Sequence, residues 1–381
     1  MQTFYAPTRV IMGCGAISML GEVVAPLGKR ALLVCGTGFA QRTGLVDRAI
    51  DMLRDQGIQV ALYANVGGEA DLQVVESGID ITRAEGCQVV VGLGGGSAVD
   101  TAKAIAGMAP IPGTVWEYHE GRSLERAGLP FIAVPTTSGT GAEVTKNSVL
   151  INPRNGVKKS IRDDTWFARV ALIDPETTIT MPPHVTASTG SDALCQAIEA
   201  YTSIAANPLT DTLAVRAIAL AGRSLARAFH DGGDVQARED MSMAALMAGM
   251  AMASARLGGV HGMAHPLGAR YDIPHGVVCG LLLPYTMAYN VSHADGKYAH
   301  IANLLGGDMA GLSTQESALR AVDLVRQLVN EIGVPNHLSA YGVTEDALDI
   351  IIEESLPSGS LKHNPRPLGA EDVRTILLSA L

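Results

Sequence analysis

The first 175 residues alternate short apolar runs with helical stretches, and this alternation constrains the fold more than any other feature. Residues 30–35 (R-A-L-L-V-C) form an apolar run that stops at Gly36-Thr37-Gly38. Residues 46–56 then space apolar side chains at helical intervals, and residues 59–63 read as the next strand. A second amphipathic helix over 72–85 precedes an apolar run at 88–91 and a series of glycines from Gly92. Further buried strands are predicted at 131–134 and 170–173. Strand, helix, strand at this spacing implies βαβ units and a parallel sheet. The texture changes after Asp174-Pro175. Met181-Pro182-Pro183 breaks the chain, and beyond it strand-like runs nearly vanish. Alanine- and leucine-rich helices are predicted at 187–203, 208–228, 238–255, 317–332 and 344–354. The spacing therefore predicts an α/β domain over residues 1–180 and an all-helical domain over 181–381, with no internal repeat of solenoid period.

Composition excludes several classes. At 47% apolar and 17% charged residues the chain can bury a large core and has little that reads as disorder. The formal charge is −10 and no stretch supplies a basic face, so nucleic acid is not an expected partner. Five cysteines, Cys14, Cys35, Cys87, Cys195 and Cys279, are odd in number and scattered, with no C-x-x-C pair. Neither a disulfide framework nor a zinc knuckle is expected. Residues 1–9 lack the apolar core of a signal peptide. Residues 241–255 are too short to cross a bilayer, and Pro274, His275, Pro284, Asn290 and His293 interrupt residues 273–294. The expectation is a soluble, cytoplasmic protein with no membrane partner.

Three segments carry chemistry. Gly92-Leu93-Gly94-Gly95-Gly96-Ser97 lies between an apolar strand and a helix expected to begin near Ala98. Glycines there let backbone N–H groups approach a pyrophosphate, aided by the helix N-terminus. Ser97 takes the last glycine place of G-x-G-x-x-G, Gln41 does so after Gly36-x-Gly38, and no Walker lysine follows either. The alternative is a tight βα turn with no ligand. Next, Pro135-Thr136-Thr137-Ser138-Gly139-Thr140-Gly141-Ala142-Glu143 places three consecutive hydroxyls and two glycines after a buried strand. These groups suit phosphate or ribose; the alternative is a helix start with Thr140 and Glu143 as a capping box. Finally, His261, His265 and His275 fall in V-H-G-M-A-H-P-L-G-A-R-Y-D-I-P-H-G. On a helix, His261 and His265 share a face, as do Asp192 and Gln196 upstream. An aspartate among apolar residues needs a cation, and with two imidazoles it makes a plausible divalent-metal set. Hydrogen-bonded core histidines and a capping aspartate are the alternative.

Together these segments resemble the iron-containing (group III) alcohol dehydrogenase family over almost the whole chain. The resemblance runs from G-C-G-A-I near Gly13 to H-N-P-R at 363–366. G-G-G-S-A-V-D-T-A-K (94–103), P-T-T-S-G-T-G-A-E-V-T (135–145) and H-G-M-A-H-P-L-G (261–268) carry it. It implies a dehydroquinate-synthase-like architecture: a Rossmann-like dinucleotide-binding α/β domain, then an all-α domain for metal and substrate. It also implies hydride transfer between NAD(P)(H) and a small alcohol or aldehyde, and a homodimer or higher homo-oligomer. The implied metal, Fe²⁺ or Zn²⁺, is held by Asp192, His261 and His275, with Gln196 where the family carries a further histidine. His265 is the implied proton relay and, with His275, the catalytic pair. Gly94, Gly95, Gly96, Ser97 and Asp100 match the pyrophosphate loop, and Thr136, Thr137 and Ser138 the nicotinamide ribose. Lys158 matches a cofactor-side lysine.

NAD-preferring members carry an aspartate where this chain has Gly36, so NADP(H) is expected to be accepted. Asn147, Met252, Arg256, His265 and Lys362 are the candidate substrate contacts. Arg256, Arg270 and Lys362-His363 are unusually basic for such segments, which raises a second expectation. The substrate would then be an anionic aldehyde or keto acid gripped by guanidinium, as in maleylacetate-type reductases, some of which need no metal. A dehydroquinate-synthase-like lyase fits less well, because residues 241–255 are too apolar for a polyhydroxylated acid.

Overall fold

The computed structural model describes residues 3–38 and 42–381. Gln41, named above in the glycine pattern, lies outside the described residues, as do Met1 and Gln2. The strands are β1 (Arg9–Met12), β2 (Arg30–Gly36), β3 (Gln59–Val66), β4 (Val89–Gly94), β5 (Phe131–Pro135), β6 (Asn147–Ile151), β7 (Lys158–Arg162) and β8 (Val170–Ile173). Six of them form one parallel sheet in the order β1-β8-β5-β4-β2-β3. Ala31, Leu33, Val91, Leu93, Ile132 and Val134 face one side, packed with α1 (Leu20–Val24) and α2 (Leu45–Asp55). Leu32, Val34, Val90 and Ala133 face the other, under α3 (Leu72–Ala84), α4 (Gly96–Met108) and α5 (Val115–His119). Burial on both faces is why these strands read as continuous apolar runs rather than alternations.

From β2 the chain builds outward to β3, then crosses back to lay β4 on the other side of β2. That reversal is a topological switch point, where doubly wound sheets bind ligands beyond the carboxyl ends of their strands. Cys35 pairs with Leu93, so Gly36 and Gly94 end neighbouring strands there.

The antiparallel β6–β7 pair was not expected. Its signal was Asn155-Gly156, with Gly156 at φ +71°, between two runs whose polar residues dilute the alternation. Lys103, 1% exposed, ties α4 to this hairpin by donating to Thr145 Oγ1 (3.2 Å) and the Asn147 carbonyl (2.7 Å).

After Ile173 the sheet gives way to α6 (Pro183–Thr202), α7 (Pro208–His230), α8 (Val235–Ala255), α9 (Gly259–Tyr271), α10 (His275–Leu304), α11 (Thr314–Glu331), α12 (Leu348–Ser355) and α13 (Ala370–Ser379). A proline at the first turn and a capping box at Asn207/Thr210 start α7, and a capping box at Ser313/Glu316 starts α11. The alanines of α6, α7 and α8 fill one apolar core with residues of α9 and α10. Ser138–Gly141 groups with Ile179–Leu381, while Ala6–Thr137 and Ala142–Thr178 form the sheet unit. The chain path is thus less simple than a single cut near residue 180. Among the described residues no single helix is long and apolar enough to cross a membrane.

Candidate functional site

The glycine turn follows from backbone geometry. Gly94 has φ +154°, and a Cβ there would lie 2.7 Å from the Ala98 Cβ. Only glycine lets β4 turn this tightly into α4. The helix begins at Gly96, two residues before the expected start, with Gly95 as N-cap and no side chain closing the cap. Its first N–H groups therefore lie uncapped by any side chain at the switch point, a favourable arrangement for phosphate. Ser97 Oγ donates to the Gly68 carbonyl (2.8 Å). Lys158 pairs with Glu69 at 2.6 Å, one residue further on.

Asp100, matched above to the pyrophosphate loop, has its carboxylate engaged within the sheet unit. Its carboxylate accepts from the Val149 N–H (3.0 Å) and Lys103 Nζ (3.2 Å), holding the hairpin against α4. The Thr140/Glu143 capping box does not form as a helix start either, because only a short 3₁₀ turn (Ala142–Val144) follows. Glu143 is buried, and burial pushes its carboxyl up to about 7. Thr136 is buried and Thr137 half-buried; the Ser138 hydroxyl lies 3.1 Å from that of Ser242 on α8.

In the helical unit, α6, α9 and α10 converge. Asp192 on α6 is 2% exposed. Its Oδ1 lies 3.3 Å from His261 Nε2 on α9 and 3.7 Å from His275 Nε2 at the start of α10. The opposite ring nitrogen, His261 Nδ1, lies 2.7 Å from Glu199 Oε2. Glu199 also accepts from the Gly258 (2.9 Å) and Val260 (2.6 Å) N–H groups, while Asn364 Oδ1 accepts from Gly259 (3.1 Å). The N-terminus of α9 has no side-chain cap of its own, so a carboxylate two turns beyond Asp192 satisfies it and orients the imidazole. Glu199 was missed in the sequence, although its i+7 relation to Asp192 was available. His265 stacks on His275, with ring centroids 5.5 Å apart and planes inclined by 16°.

Two cysteines join this cluster. Cys279, one helical turn after His275, has Sγ 3.6 Å from His275 Nε2 and 3.9 Å from His261 Nε2. Cys195 Sγ lies 3.8 Å from His261 Nδ1. Burial works against a charged His261, yet Cys279, Asp192 and Glu199 hold its pKa well above the ordinary histidine value. Burial likewise opposes a Cys279 thiolate, but Cys195 and the two histidines bring its pKa well below that of an ordinary thiol.

The donor set fits a divalent metal. Ligand atoms of Asp192, His261, His275 and Cys279 all lie within 4.8 Å of one another. Gln196 Oε1 is buried with no hydrogen-bond partner among the described residues. Carboxylate, imidazole and thiol around one point are the ligand types of zinc and iron sites.

The remaining substrate candidates are more dispersed. Asn147 begins β6, and Met252 is half-buried against the helical core. Arg256 ends α8 at φ +68° and is exposed, as is Lys362. Arg270 does not offer a grip for an anion: its Nε and Nη2 are held at 2.7 and 2.6 Å by the Glu354 carboxylate. The expected cationic cluster thus loses one member to an ion pair.

A glycine turn at the switch point of a parallel sheet and a buried Asp/His/His cluster on helices define a class of nucleotide- and metal-dependent enzymes. Two family models match: "Iron-containing alcohol dehydrogenase" over residues 7–175 and "Fe-containing alcohol dehydrogenase family, C-terminal" over residues 186–381. The chain belongs to the iron-containing alcohol dehydrogenase family, oxidoreductases acting on CH–OH groups. It is 40% identical to long-chain-alcohol dehydrogenase 1 of Geobacillus thermodenitrificans, over 97% of this chain and 94% of that one. Identity to a 1,3-propanediol dehydrogenase of Klebsiella pneumoniae is also 40%, over 100% and 99%. A solved 1,3-propanediol oxidoreductase superposes with a TM-score of 0.97 at 39% identity, covering all of both chains.

Proposed function

We propose that this protein interconverts a small neutral alcohol and its aldehyde, with 1,3-propanediol and related short alcohols the first candidates. The buried Asp192–His261–His275 cluster is the observation that carries the reading. When bound, a divalent metal such as Zn²⁺ or Fe²⁺ supplies Lewis-acid polarisation of a substrate oxygen, and nicotinamide supplies the hydride acceptor or donor. Asp192 contributes the anionic oxygen that a cation needs in an apolar helix. Glu199 holds a proton on His261 Nδ1, which leaves Nε2 facing Asp192 as a ligand. His265, stacked on His275, is placed to accept the proton that the alcohol loses. The backbone N–H groups of Gly96 and Ser97 bind the pyrophosphate, with Thr136 and Thr137 toward the ribose. The same reading takes the protein as a cytoplasmic homo-oligomer. No observation favours an anionic substrate over a neutral one, given the Arg270–Glu354 pair.

The test follows reduced-nicotinamide absorbance with paired neutral and carboxylated aldehydes, before and after exhaustive chelation verified by elemental analysis. Turnover of the neutral members, lost on chelation and restored by Zn²⁺ or Fe²⁺, is expected. Full turnover by metal-free protein would overturn metal assistance, and no turnover with either cofactor would overturn the reading itself.

Cofactor choice is a separate prediction. A Cβ at Gly36 would meet only the Val66 carbonyl oxygen, at an ordinary 3.6 Å, so a side chain fits there. The native enzyme should use NADPH at least as well as NADH. Gly36→Asp, by adding a carboxylate for the ribose 2′-OH and against a 2′-phosphate, should move the kcat/KM ratio about 10- to 100-fold toward NADH. A native enzyme inert with NADPH would refute the placement of Gly36 at the ribose.

A further inference from the structure

We infer that Cys279 is a ligand of the metal, so that this chain holds its cation with an Asp/His/His/Cys set in which a thiolate takes the fourth position. The inference rests on the metal-assisted reading above and adds to it the identity of a ligand that the sequence pattern did not suggest.

Geometry carries the argument. A tetrahedral ion with metal–nitrogen and metal–oxygen bonds of about 2.0–2.2 Å and a metal–sulfur bond of about 2.3 Å holds its ligand atoms about 3.3–3.6 Å apart. Four of the separations here are 3.3 Å (Asp192 Oδ1 to His261 Nε2), 3.7 Å (Asp192 Oδ1 to His275 Nε2), 3.6 Å and 3.9 Å (Cys279 Sγ to the two Nε2 atoms). These match four of the six edges of such a tetrahedron to within a few tenths of an ångström, and the other two are no longer than 4.8 Å. His275 and Cys279 sit one turn apart on α10, and that spacing directs both side chains to the same side of the helix. Both histidines present Nε2 to the sulfur.

Cys195, the other nearby thiol, is on the wrong side. Its Sγ lies by His261 Nδ1, and Glu199 already occupies that nitrogen at 2.7 Å. Gln196, which replaces a family histidine, offers only a neutral amide oxygen, a weaker ligand than a thiolate for a borderline-soft ion. A thiolate among imidazoles selects zinc over harder ions.

Cobalt(II) reports directly on sulfur ligation. The full-length protein is stripped of metal, loaded with one Co²⁺ per chain, and its near-ultraviolet absorption recorded for native, Cys279→Ser and Cys195→Ser forms. A thiolate-to-cobalt charge-transfer band is expected in the native and Cys195→Ser proteins and not in Cys279→Ser. Zinc affinity, measured by competition with a chromophoric chelator, should fall about 100-fold or more in Cys279→Ser. A native cobalt protein without the band overturns the inference whatever the variants do. A band that survives in Cys279→Ser, or disappears in Cys195→Ser alone, overturns it too. Cobalt bound without the band leaves metal-assisted dehydrogenation standing, whereas a protein that binds no divalent ion yet turns over overturns both.

Discussion

Replacing His261 with alanine should lower kcat/KM for aldehyde reduction about a thousandfold, equivalent to about 4 kcal/mol of transition-state stabilisation. His261 is the residue on which the cluster turns. It is 5% exposed, and its two ring nitrogens face Asp192 and Glu199, carboxylates on the same helix. Its removal deletes a proposed ligand and leaves both buried acids without their shared partner, so metal content by elemental analysis should fall with activity. Gln196→Ala is the informative contrast. Its buried amide oxygen has no partner among the described residues, and its loss should cost no more than about tenfold. A His261→Ala enzyme retaining a tenth of native kcat/KM would remove the cluster from the chemistry. A Gln196→Ala loss matching that of His261→Ala would make the glutamine a full ligand.

Gly276→Ala should be the most damaging single-methyl change near the site. A Cβ on Gly276 would lie 1.9 Å from the backbone oxygen of Ser188 and 2.6 Å from its carbonyl carbon. Backbone cannot swing aside as a side-chain tip can, so α10 would have to back away from α6. Ser188 is one turn before Asp192, and Gly276 is next to His275. The methyl therefore drives apart the two helices that present Asp192 and His275, two of the proposed ligands. Overpacking of this kind costs about 3 kcal/mol, the upper end of its usual range. For a unit of some 200 residues that lowers Tm by about 6–12 °C. Metal affinity should fall alongside. Gly296→Ala, on the same helix but exposed and with nothing within 4 Å, is the control and should leave Tm unchanged or slightly raised. Equal Tm values for the two variants would refute the close-approach argument.

Much of this architecture is legible in the sequence. The strands from Arg30 and Val89 are apolar on both faces, which only a sheet covered on both sides tolerates, and Gly94-Gly95-Gly96 follows the second of them at once. Such features are local: a run of β-branched residues, a glycine where φ is positive, a proline at a helix start. The β6–β7 hairpin escaped because its residues are half-exposed, so no strong period marks it. Arg270 suggested an anion site because its charge is visible in the sequence, whereas its partner Glu354 is 84 residues away.

Asp192, His261 and His275 could be singled out because buried carboxylates and clustered histidines are costly unless they are used together. The sequence by itself therefore determined the parallel α/β half, the helical half, the glycine turn and the residue types of a candidate metal site. Only the tertiary structure decided which side chains complete that site. Glu199 and Cys279 are unremarkable on their own helices, as a glutamate in α6 and one scattered cysteine in α10. They acquire roles because α6, α9 and α10 pack closely enough to bring a carboxylate to His261 Nδ1 and a sulfur to both Nε2 atoms. Helical periodicity sets the face on which a side chain lies; the approach of other helices sets what it meets there.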